Sequence, residues 1–138
     1  MRKIKYTFCF LSLCFASVAQ TPNSWSRIAD FPGTARAGAA AFSIDSFGYV
    51  CLGGQAGSGA GVYPTDLWQY NPFINVWTQK ADFPGQGRAD AICFVIGSKA
   101  YIGLGDAGGA YNDFWEYDPV TDTWTQKANF RGGGGQAR

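Results

Sequence analysis

The sequence predicts an all-β fold built from repeated four-stranded antiparallel sheets, and three observations lead to this prediction. The stretch WTQKADFPG at 77–85 returns as WTQKANFRG at 124–132, and WSRIADFPG at 25–33 is an earlier copy. Between the copies lie short aromatic and apolar runs bounded by Gly, Pro, Asn or Asp, which is typical of strands. No window combines a sustained helical period with helix start and stop signals. A β unit therefore repeats, and its aligned tryptophans are 52 and then 47 residues apart.

The chain opens with a segment that predicts a secretory signal peptide over residues 1–19. A short basic lead, MRKIK, precedes an apolar run over 6–18, and the small residues of SVA end the segment, so that Gln20 becomes the first mature residue. The run is shorter than the roughly 20 residues that a membrane-spanning helix needs, so no membrane span is expected. A lipoprotein signal in LSLC is the less favoured alternative, because the bulky Leu13 stands where a small residue is required. We therefore expect an exported protein, either secreted or located in the periplasm or outside the cell.

Charge and cysteine content narrow the partners of the predicted mature chain. Residues 20–138 carry eight Lys and Arg against ten Asp and Glu, so their formal charge is 8 − 10 = −2. No basic patch is available for a phosphate backbone, which argues against nucleic acid. Cys51 and Cys93 lie in apolar runs, where buried free thiols are favoured over the alternative of a disulfide between them.

Each repeat unit predicts four strands in the same order. An arginine, Arg36 or Arg88, opens a run of small and apolar residues (AGAAAFSI, then ADAICFVI) that predicts strand one. Strand two is predicted in YVCLGG and YIGLGD, and a glycine-rich loop of unequal length follows at 55–65 and 107–112. DLWQYNP and DFWEYDP predict strand three and a turn, and the next Trp lies in strand four.

The composition of these strands predicts how the units pack. Strand two is apolar on successive residues, which indicates that both faces of the sheet are covered, and strand one, from Ala37 to Ala41, is small where neighbouring sheets crowd together. A four-stranded sheet repeated in this way describes the blade of a β-propeller. The predicted order is a lone fourth strand at 25–33, blade 1 at 34–85, blade 2 at 86–130 and the start of a third blade at 131–138, all within a partial propeller over 20–138.

The order of these motifs resembles the kelch repeat. The residues that match in the first unit are Arg36, Gly53, Gly54, Tyr70 and Trp77. The second unit departs once, where Gly105-Asp106 stands in place of the glycine pair. The resemblance extends over residues 25–138 and implies kelch-type propeller blades, similar to the central domain of galactose oxidase. Propellers of this kind include binders, scaffolds and enzymes, so the resemblance implies a fold rather than an activity.

Two blades fall short of the four to eight that usually form a propeller. They would leave apolar faces and unpaired edges in water. We therefore expect the N-terminal part of a longer exported propeller, whose remaining blades complete the ring. The alternative is self-association of several two-blade chains into one ring.

The sequence contains no histidine, and this absence restricts its chemistry. It excludes Ser-His-Asp and Cys-His catalysis and any histidine-ligated zinc or copper site in this chain. The GLGDAG stretch at 103–108 fits G-x-G-x-x-G, but a strand is predicted after it where a dinucleotide site requires a helix, so the match is interpreted as a coincidence. Asp66 and Asp113 recur at the start of strand three, where a turn cap is favoured over catalysis. No catalytic residue, metal or cofactor is predicted for this chain.

Arg36 and Arg88 are the candidate ligand-binding residues. Each precedes the predicted innermost strand of its blade, near the end of the central channel. A ring of arginines there would suit a carboxylate or sulfate ligand, and the resemblance includes N-acetylneuraminate epimerase, a kelch-type enzyme that handles an anionic sugar. The structural interpretation, in which each guanidinium group binds loop carbonyls or the preceding Asp30 and Asp82, is favoured over this ligand site.

Three functions remain open on the sequence. The favoured one is an exported, non-catalytic binding or interaction module for an extracellular glycan or protein. The alternative is the N-terminal part of a propeller enzyme acting on sugars, similar to galactose oxidase or N-acetylneuraminate epimerase, with its catalytic residues in further blades. A fragment without independent function is the third. The recurring tryptophans are assigned to blade packing rather than sugar stacking, because every repeat carries them in the same place.

Overall fold

The computed structural model describes residues 23–55 and 61–132, and these contain strands but no helix. The predicted signal peptide, residues 56–60 of the first glycine-rich loop and residues 133–138 lie outside the described residues. In the described part of the chain there is accordingly no helix long and apolar enough to cross a membrane.

The described residues form two four-stranded sheets and one short strand pair. In chain order the strands are β1 (Arg36–Ala37), β2 (Ala40–Ile44), β3 (Phe47–Cys51), β4 (Gly54–Gln55), β5 (Leu67–Asn71), β6 (Val76–Lys80), β7 (Ile92–Ile96), β8 (Lys99–Gly103), β9 (Phe114–Asp118) and β10 (Thr123–Lys127). Strands β2, β3, β5 and β6 form the antiparallel sheet of blade 1 in that order, and β7 to β10 form that of blade 2. The predicted all-β architecture is confirmed.

The two sheets have the same register, so each strand residue of the blade 1 sheet has a structural equivalent in the blade 2 sheet. Tyr49 lies opposite Gln69 in blade 1, and Tyr101 lies opposite Glu116 in blade 2. Ile44 and Ile96 both occupy the last position of the first long strand. The repeat in the sequence is therefore a repeat in three dimensions.

One hydrophobic core joins the two blades. Its buried members are Ala40, Ile44, Tyr49, Cys51, Leu52 and Leu67 of blade 1, Phe83 of the connection, and Ala100, Ile102 and Tyr117 of blade 2. The Tyr49 and Tyr117 rings meet edge to face with centroids 6.1 Å apart. The Cys93 thiol also donates a hydrogen bond to the Ala41 carbonyl, with 3.0 Å between sulfur and oxygen. The face of blade 1 that carries Ile44 thus packs against blade 2.

The second strands differ from the prediction that both of their faces are covered. Within β8, Ala100 and Ile102 are buried, whereas Tyr101 on the opposite face is half-buried. The reason is that no sheet among the described residues packs against that face of blade 2. Strand one also differs, because it begins at Ala40 rather than Ala37, after Gly38 adopts a left-handed φ of 62°.

The glycine that follows strand two is required by close backbone packing. Gly53 has a φ of 99°, and a Cβ atom there would lie 2.9 Å from the Ala37 carbonyl oxygen. Gly105 has a φ of 87°, and its Cβ atom would lie 2.5 Å from the Ala89 carbonyl oxygen. The next position has no left-handed φ, so Asp106 is accepted where the kelch-like pattern has a second glycine.

The connection from blade 1 to blade 2 is held by an arrangement that we call the alanine latch. The Ala81 amide donates to the Asp122 carboxylate at 3.0 Å, and the Trp124 indole donates to the Ala81 carbonyl at 2.9 Å. Two residues later, the buried Phe83 ring packs edge to face against Trp124, with centroids 5.3 Å apart. The latch thus satisfies both backbone groups of one alanine and anchors the ring that follows it.

The same latch holds the segment that precedes blade 1. The Ala29 amide donates to the Asn75 side-chain oxygen at 2.7 Å, and the Trp77 indole donates to the Ala29 carbonyl at 3.1 Å. Phe31 packs edge to face against Trp77, with centroids 5.2 Å apart. Residues 25–33, predicted as a lone fourth strand, form no ladder with other described residues. Side-chain contacts rather than strand pairing therefore hold this segment against blade 1.

Candidate functional site

Arg36 and Arg88 lie just ahead of the first long strand of each blade, and both side chains are buried. The exposed fraction of the side chain is 4% for Arg36 and 1% for Arg88. A Phe-x-Gly turn precedes each arginine and brings its aromatic ring under the guanidinium group. The guanidinium carbon lies 5.2 Å from the Phe31 ring centre in blade 1 and 5.3 Å from the Phe83 ring centre in blade 2.

The Arg88 guanidinium group uses all three of its nitrogen atoms on protein partners. Nε donates to the Gln86 carbonyl at 2.8 Å, and Nη1 donates to the Leu104 carbonyl at 3.1 Å. Nη1 and Nη2 also form a fork onto the Asp113 carboxylate, with 3.0 Å for the Nη2 bond. The guanidinium carbon lies 3.9 Å from the centre of the Tyr111 ring. These contacts compensate the loss of water around a buried charge.

Arg36 repeats this arrangement in blade 1. Its Nη1 and Nη2 atoms donate to the Asp66 carboxylate at 2.6 and 3.0 Å. Nη1 also donates to the Leu52 carbonyl at 3.2 Å, and Nε donates to the Thr34 carbonyl at 3.0 Å. Each blade therefore contains one forked arginine–aspartate pair that ties the entry of its first strand to the start of its third.

The carboxylates that bind the arginines differ from those named in the structural interpretation. Asp30 pairs with the exposed Arg27, and Asp82 accepts a hydrogen bond from a neighbouring side chain. Asp66 and Asp113, predicted as turn caps, bind the arginines instead. The loop carbonyls of the structural interpretation are present as expected.

The sequence does contain a recurring pattern that marks these two aspartates, but the spacing of the pattern does not show that they bind the arginines. Asp66 and Asp113 each stand two residues before a tryptophan. The Trp68 indole donates to Asp66 at 2.6 Å, and the Trp115 indole donates to Asp113 at 2.8 Å. The recurring Asp-x-Trp is thus the acceptor half of a network whose donor half is the recurring arginine.

The arginine and the tryptophan keep both carboxylates ionised. Burial raises the pKa of Asp113, but hydrogen bonds from Arg88 and Trp115 outweigh this effect and hold the pKa below its ordinary value. The pKa of Asp66 is lowered for the same reasons. Neither group is therefore suited to act as a general acid near neutral pH.

This geometry favours the structural role of the two arginines. An anionic ligand would have to compete with a carboxylate that already accepts a forked hydrogen bond from a buried guanidinium group. The assignment of Arg36 and Arg88 as ligand-binding residues stays a prediction.

A cleft of about 360 Å³ lies next to the β1–β4 pair, beside the two forked arginine–aspartate pairs, which we call the arginine centres. Its wall includes the glycines 38, 54 and 61, the Tyr63 side chain and Asp90, which is exposed to solvent. Peptide groups, a phenol and a carboxylate are partners for hydroxyl and amide groups of a ligand. Because Asp90 is the charged residue among the described residues of this wall, the cleft suits a neutral, polyhydroxylated group better than an anion.

A second polar cluster surrounds Glu116 on the Tyr101 face of blade 2, which no described sheet covers and which we call the open face. Lys99 and Lys127 bind its carboxylate at 3.0 and 2.8 Å, and the Tyr101 hydroxyl donates to it at 2.7 Å. The hydrogen bonds from Lys127, Tyr101 and Lys99 lower the pKa of Glu116 to about 2. Gln69 occupies the equivalent position in blade 1, where its amide donates to the Tyr49 hydroxyl at 2.5 Å.

We expect Glu116→Gln to reduce the acid sensitivity of the fold. The folded pKa lies below the ordinary value of 4.5, so Glu116 contributes stability that is present above pH 4.5 and is lost as the pH falls toward about 2. Between about pH 5 and pH 2.5, the melting temperature of the variant should therefore fall less than that of the wild-type chain. Asp30→Asn, at an exposed pair, serves as the control. Equal falls for all three proteins would contradict the prediction.

Cys51 and Cys93 are free thiols in the described part of the chain, and Cys51 is buried as favoured from the sequence, whereas Cys93 is half-buried. Burial raises the pKa of both Cys51 and Cys93, so neither is activated as a thiolate. Over residues 23–55 and 61–132, no group of three His, Cys, Asp or Glu side chains is placed to hold a metal ion.

Comparison with known proteins supports a propeller fold and relates the chain to sugar-acting proteins. N-acetylneuraminate epimerases of Shigella flexneri, Shigella sonnei and Escherichia coli strain K12 are 34% identical to this chain over 79 residues. The match covers 56% of this chain and 22% of each relative, so the chain matches about a fifth of the length of these relatives. No known family profile matches the chain.

The solved structure of YjhT shares the fold. It superposes with a TM-score of 0.68 and 23% sequence identity, covering 78% of this chain and 42% of that one. Together with the two repeated four-stranded sheets, this likeness identifies the described residues as β-propeller blades that do not close a ring. The kelch repeat stays an assignment from the sequence.

Proposed function

We propose that this chain supplies two blades of an exported, non-catalytic β-propeller that binds a glycan. The observation that carries the glycan ligand is its 34% identity over 79 residues with N-acetylneuraminate epimerases, which are named for a sugar acid. The proposed non-catalytic role rests on the Asp66 and Asp113 carboxylates, which are engaged by buried arginines. The proposed export rests on the signal peptide predicted over residues 1–19. The proposed ligand position is the cleft beside the arginine centres, where Asp90 and backbone groups meet solvent.

The proposed recognition relies on hydroxyl and N-acetyl groups rather than on the sugar carboxylate. Both guanidinium groups are occupied by Asp66 and Asp113, whereas the Asp90 carboxylate is exposed on the cleft wall. A carboxylate accepts hydrogen bonds from sugar hydroxyls and repels an acid group. We therefore expect N-acetylglucosamine to bind at least as well as N-acetylneuraminate.

The test is titration of the full chain with these two sugars, followed by ligand-detected NMR. We expect saturable binding that Asp90→Asn weakens by about tenfold, as for the loss of a charge-assisted hydrogen bond. Asp45→Asn is the matched control, because Asp45 is also exposed and has a φ of 52° against 55° for Asp90. A cooperatively folded chain that binds neither sugar would overturn the proposal.

An enzyme acting on sugars is the second candidate, and the epimerase name of the relatives favours it. The same NMR samples distinguish the two functions. New signals from an epimer of the added sugar, growing with time and with protein concentration, would replace the binding proposal by the enzyme. Unchanged sugar signals in the presence of saturable binding support the non-catalytic module.

A further inference from the structure

The open face of blade 2 carries exposed apolar side chains, and the equivalent face of blade 1 is covered by blade 2. Ile92, Phe94 and Ile96 project from this face with 45%, 43% and 61% of their surface exposed. Together with Tyr101, Phe114 and Phe130 they line a groove of about 710 Å³. A contiguous apolar groove of this kind marks an interaction surface.

We infer that this face, together with residues 128–130, docks a further blade of the same type, and that the partner is selected by an Asn or Asp two residues before the tryptophan of its fourth strand. The inference rests on the proposed membership of a larger propeller but not on its sugar ligand. Loss of sugar binding would therefore leave it standing.

The internal repeat shows what covers such a face. In blade 1, Phe42 stacks on Tyr49 with centroids 5.0 Å apart, and in blade 2 Phe94 stacks on Tyr101 at 5.4 Å. The two faces are thus built alike. The two faces differ in whether another sheet packs against them. Ile44, which packs against blade 2, is 3% exposed, whereas the equivalent Ile96 is 61% exposed.

The alanine latch defines the chemistry of the partner. It occurs twice in the structure, once with Asn75 and Trp77 and once with Asp122 and Trp124. Each time, a side-chain oxygen accepts from an alanine amide while an indole N–H donates to the same alanine's carbonyl. Ala128 is the third equivalent alanine of the repeat. Among the described residues, no side-chain oxygen and indole bind its amide and its carbonyl.

The ring after the latch and the lysine before it support the same partner. Phe83, held between Trp115 and Trp124, is 2% exposed, whereas its equivalent Phe130 is 54% exposed. Lys80 reaches Asp122 of the following blade at 3.7 Å. The equivalent Lys127 instead pairs with Glu116 of its own sheet, at 2.8 Å.

A second copy of this chain is a poorer occupant than a further blade. Its blade 1 would have to offer Asn75 and Trp77 to the incoming Ala128. Both are already bound to Ala29 of the same chain. A blade that enters with an unoccupied Asn or Asp and tryptophan has no such competitor.

The inference is tested by adding a blade to the full chain. One extended protein carries residues 89–132 again after Arg138, and another carries residues 37–85 there, so that the added blade offers Asp122 or Asn75. Backbone amide exchange is followed at Ala128, and the latched Ala81 reports folding of the original blades in every sample. We expect exchange at Ala128 to slow by at least about tenfold in an extended protein.

Two variants show whether the latch and the face cause this protection. Asp122→Ala in the added copy should abolish it, whereas Thr121→Ala in the same added turn should not. In addition, Ile96→Gln should lower the urea midpoint of the extended protein and leave that of the original chain unchanged, since Ile96 is buried only when the added blade docks.

Three results would overturn the inference. The first is unchanged exchange at Ala128 in both extended proteins. Loss of protection at Ala81 in both of them counts as the same result, because a matching added blade should stabilise blade 2. Another is protection that survives Asp122→Ala in the added copy. The third is protection at Ala128 in the original chain together with dimers in sedimentation, which would assign the face to a second copy.

Discussion

Asp113→Ala is expected to lower the free energy of unfolding by about 3–5 kcal/mol, because it removes one partner of a buried ion pair. The Arg88 side chain that remains is 1% exposed, and its guanidinium group would keep its carbonyl partners but no counter-charge. The Trp115 indole would lose its acceptor as well. A loss of this size is a large part of the stability of a small domain. Urea unfolding followed by tryptophan fluorescence measures it.

A matched surface pair provides the control for Asp113→Ala. Arg27 and Asp30 also pair at 2.8 Å, but their side chains are 83% and 78% exposed. Asp30→Ala should therefore change the free energy of unfolding by less than about 1 kcal/mol. Equal effects at the two aspartates would show that the buried pair is not a structural centre of blade 2, and would favour the predicted ligand-binding role of Arg88.

Phe83→Ala is expected to destabilise the chain by about 3–5 kcal/mol, as for truncation of a buried aromatic ring. The Phe83 ring is 2% exposed and packs edge to face against Trp115 and Trp124, with centroids 5.8 and 5.3 Å away. Its removal leaves a cavity between the blades and also removes the ring beneath Arg88. The same urea unfolding experiment detects the loss.

Phe130→Ala is the control, because Phe130 holds the same position in the repeat and is 54% exposed. Its effect should stay below about 1 kcal/mol. A large effect at Phe130 would mean that the ring is covered in solution. The pair of variants therefore separates what the motif contributes from what the neighbouring blade contributes.

The arginines illustrate how a repeated residue is interpreted once its partners are visible. A recurring arginine near a channel leaves an anion site open beside the favoured structural role, since the sequence shows the donor but not what lies against it. The structure places Asp66 and Asp113, 30 and 25 residues away along the chain, within hydrogen-bond distance. Proposed glycan binding accordingly moves from the guanidinium groups to the neighbouring cleft.

Much of the fold follows from local patterns. Short runs bounded by turn residues predict the strands, and recurrence of the motifs predicts that the two sheets share one design. The recurring glycine at positions 53 and 105 also follows from local structure. Its φ is left-handed, and a Cβ atom there would collide with a backbone carbonyl, so only glycine fits. These features depend on neighbours in sequence or on the backbone of one blade.

The alanine latch could not be predicted from local sequence patterns, because its hydrogen bonds join residues that are 46 and 41 positions apart in the chain. WTQKADFPG and WTQKANFRG show that a segment recurs but not which groups it contacts. Likewise, Ile44 and Ile96 occupy equivalent strand positions and yet differ from 3% to 61% in exposure. The strands and their repetition are encoded locally, whereas burial, pairing of charges and the open face depend on which sheet lies opposite, and that is a property of packing.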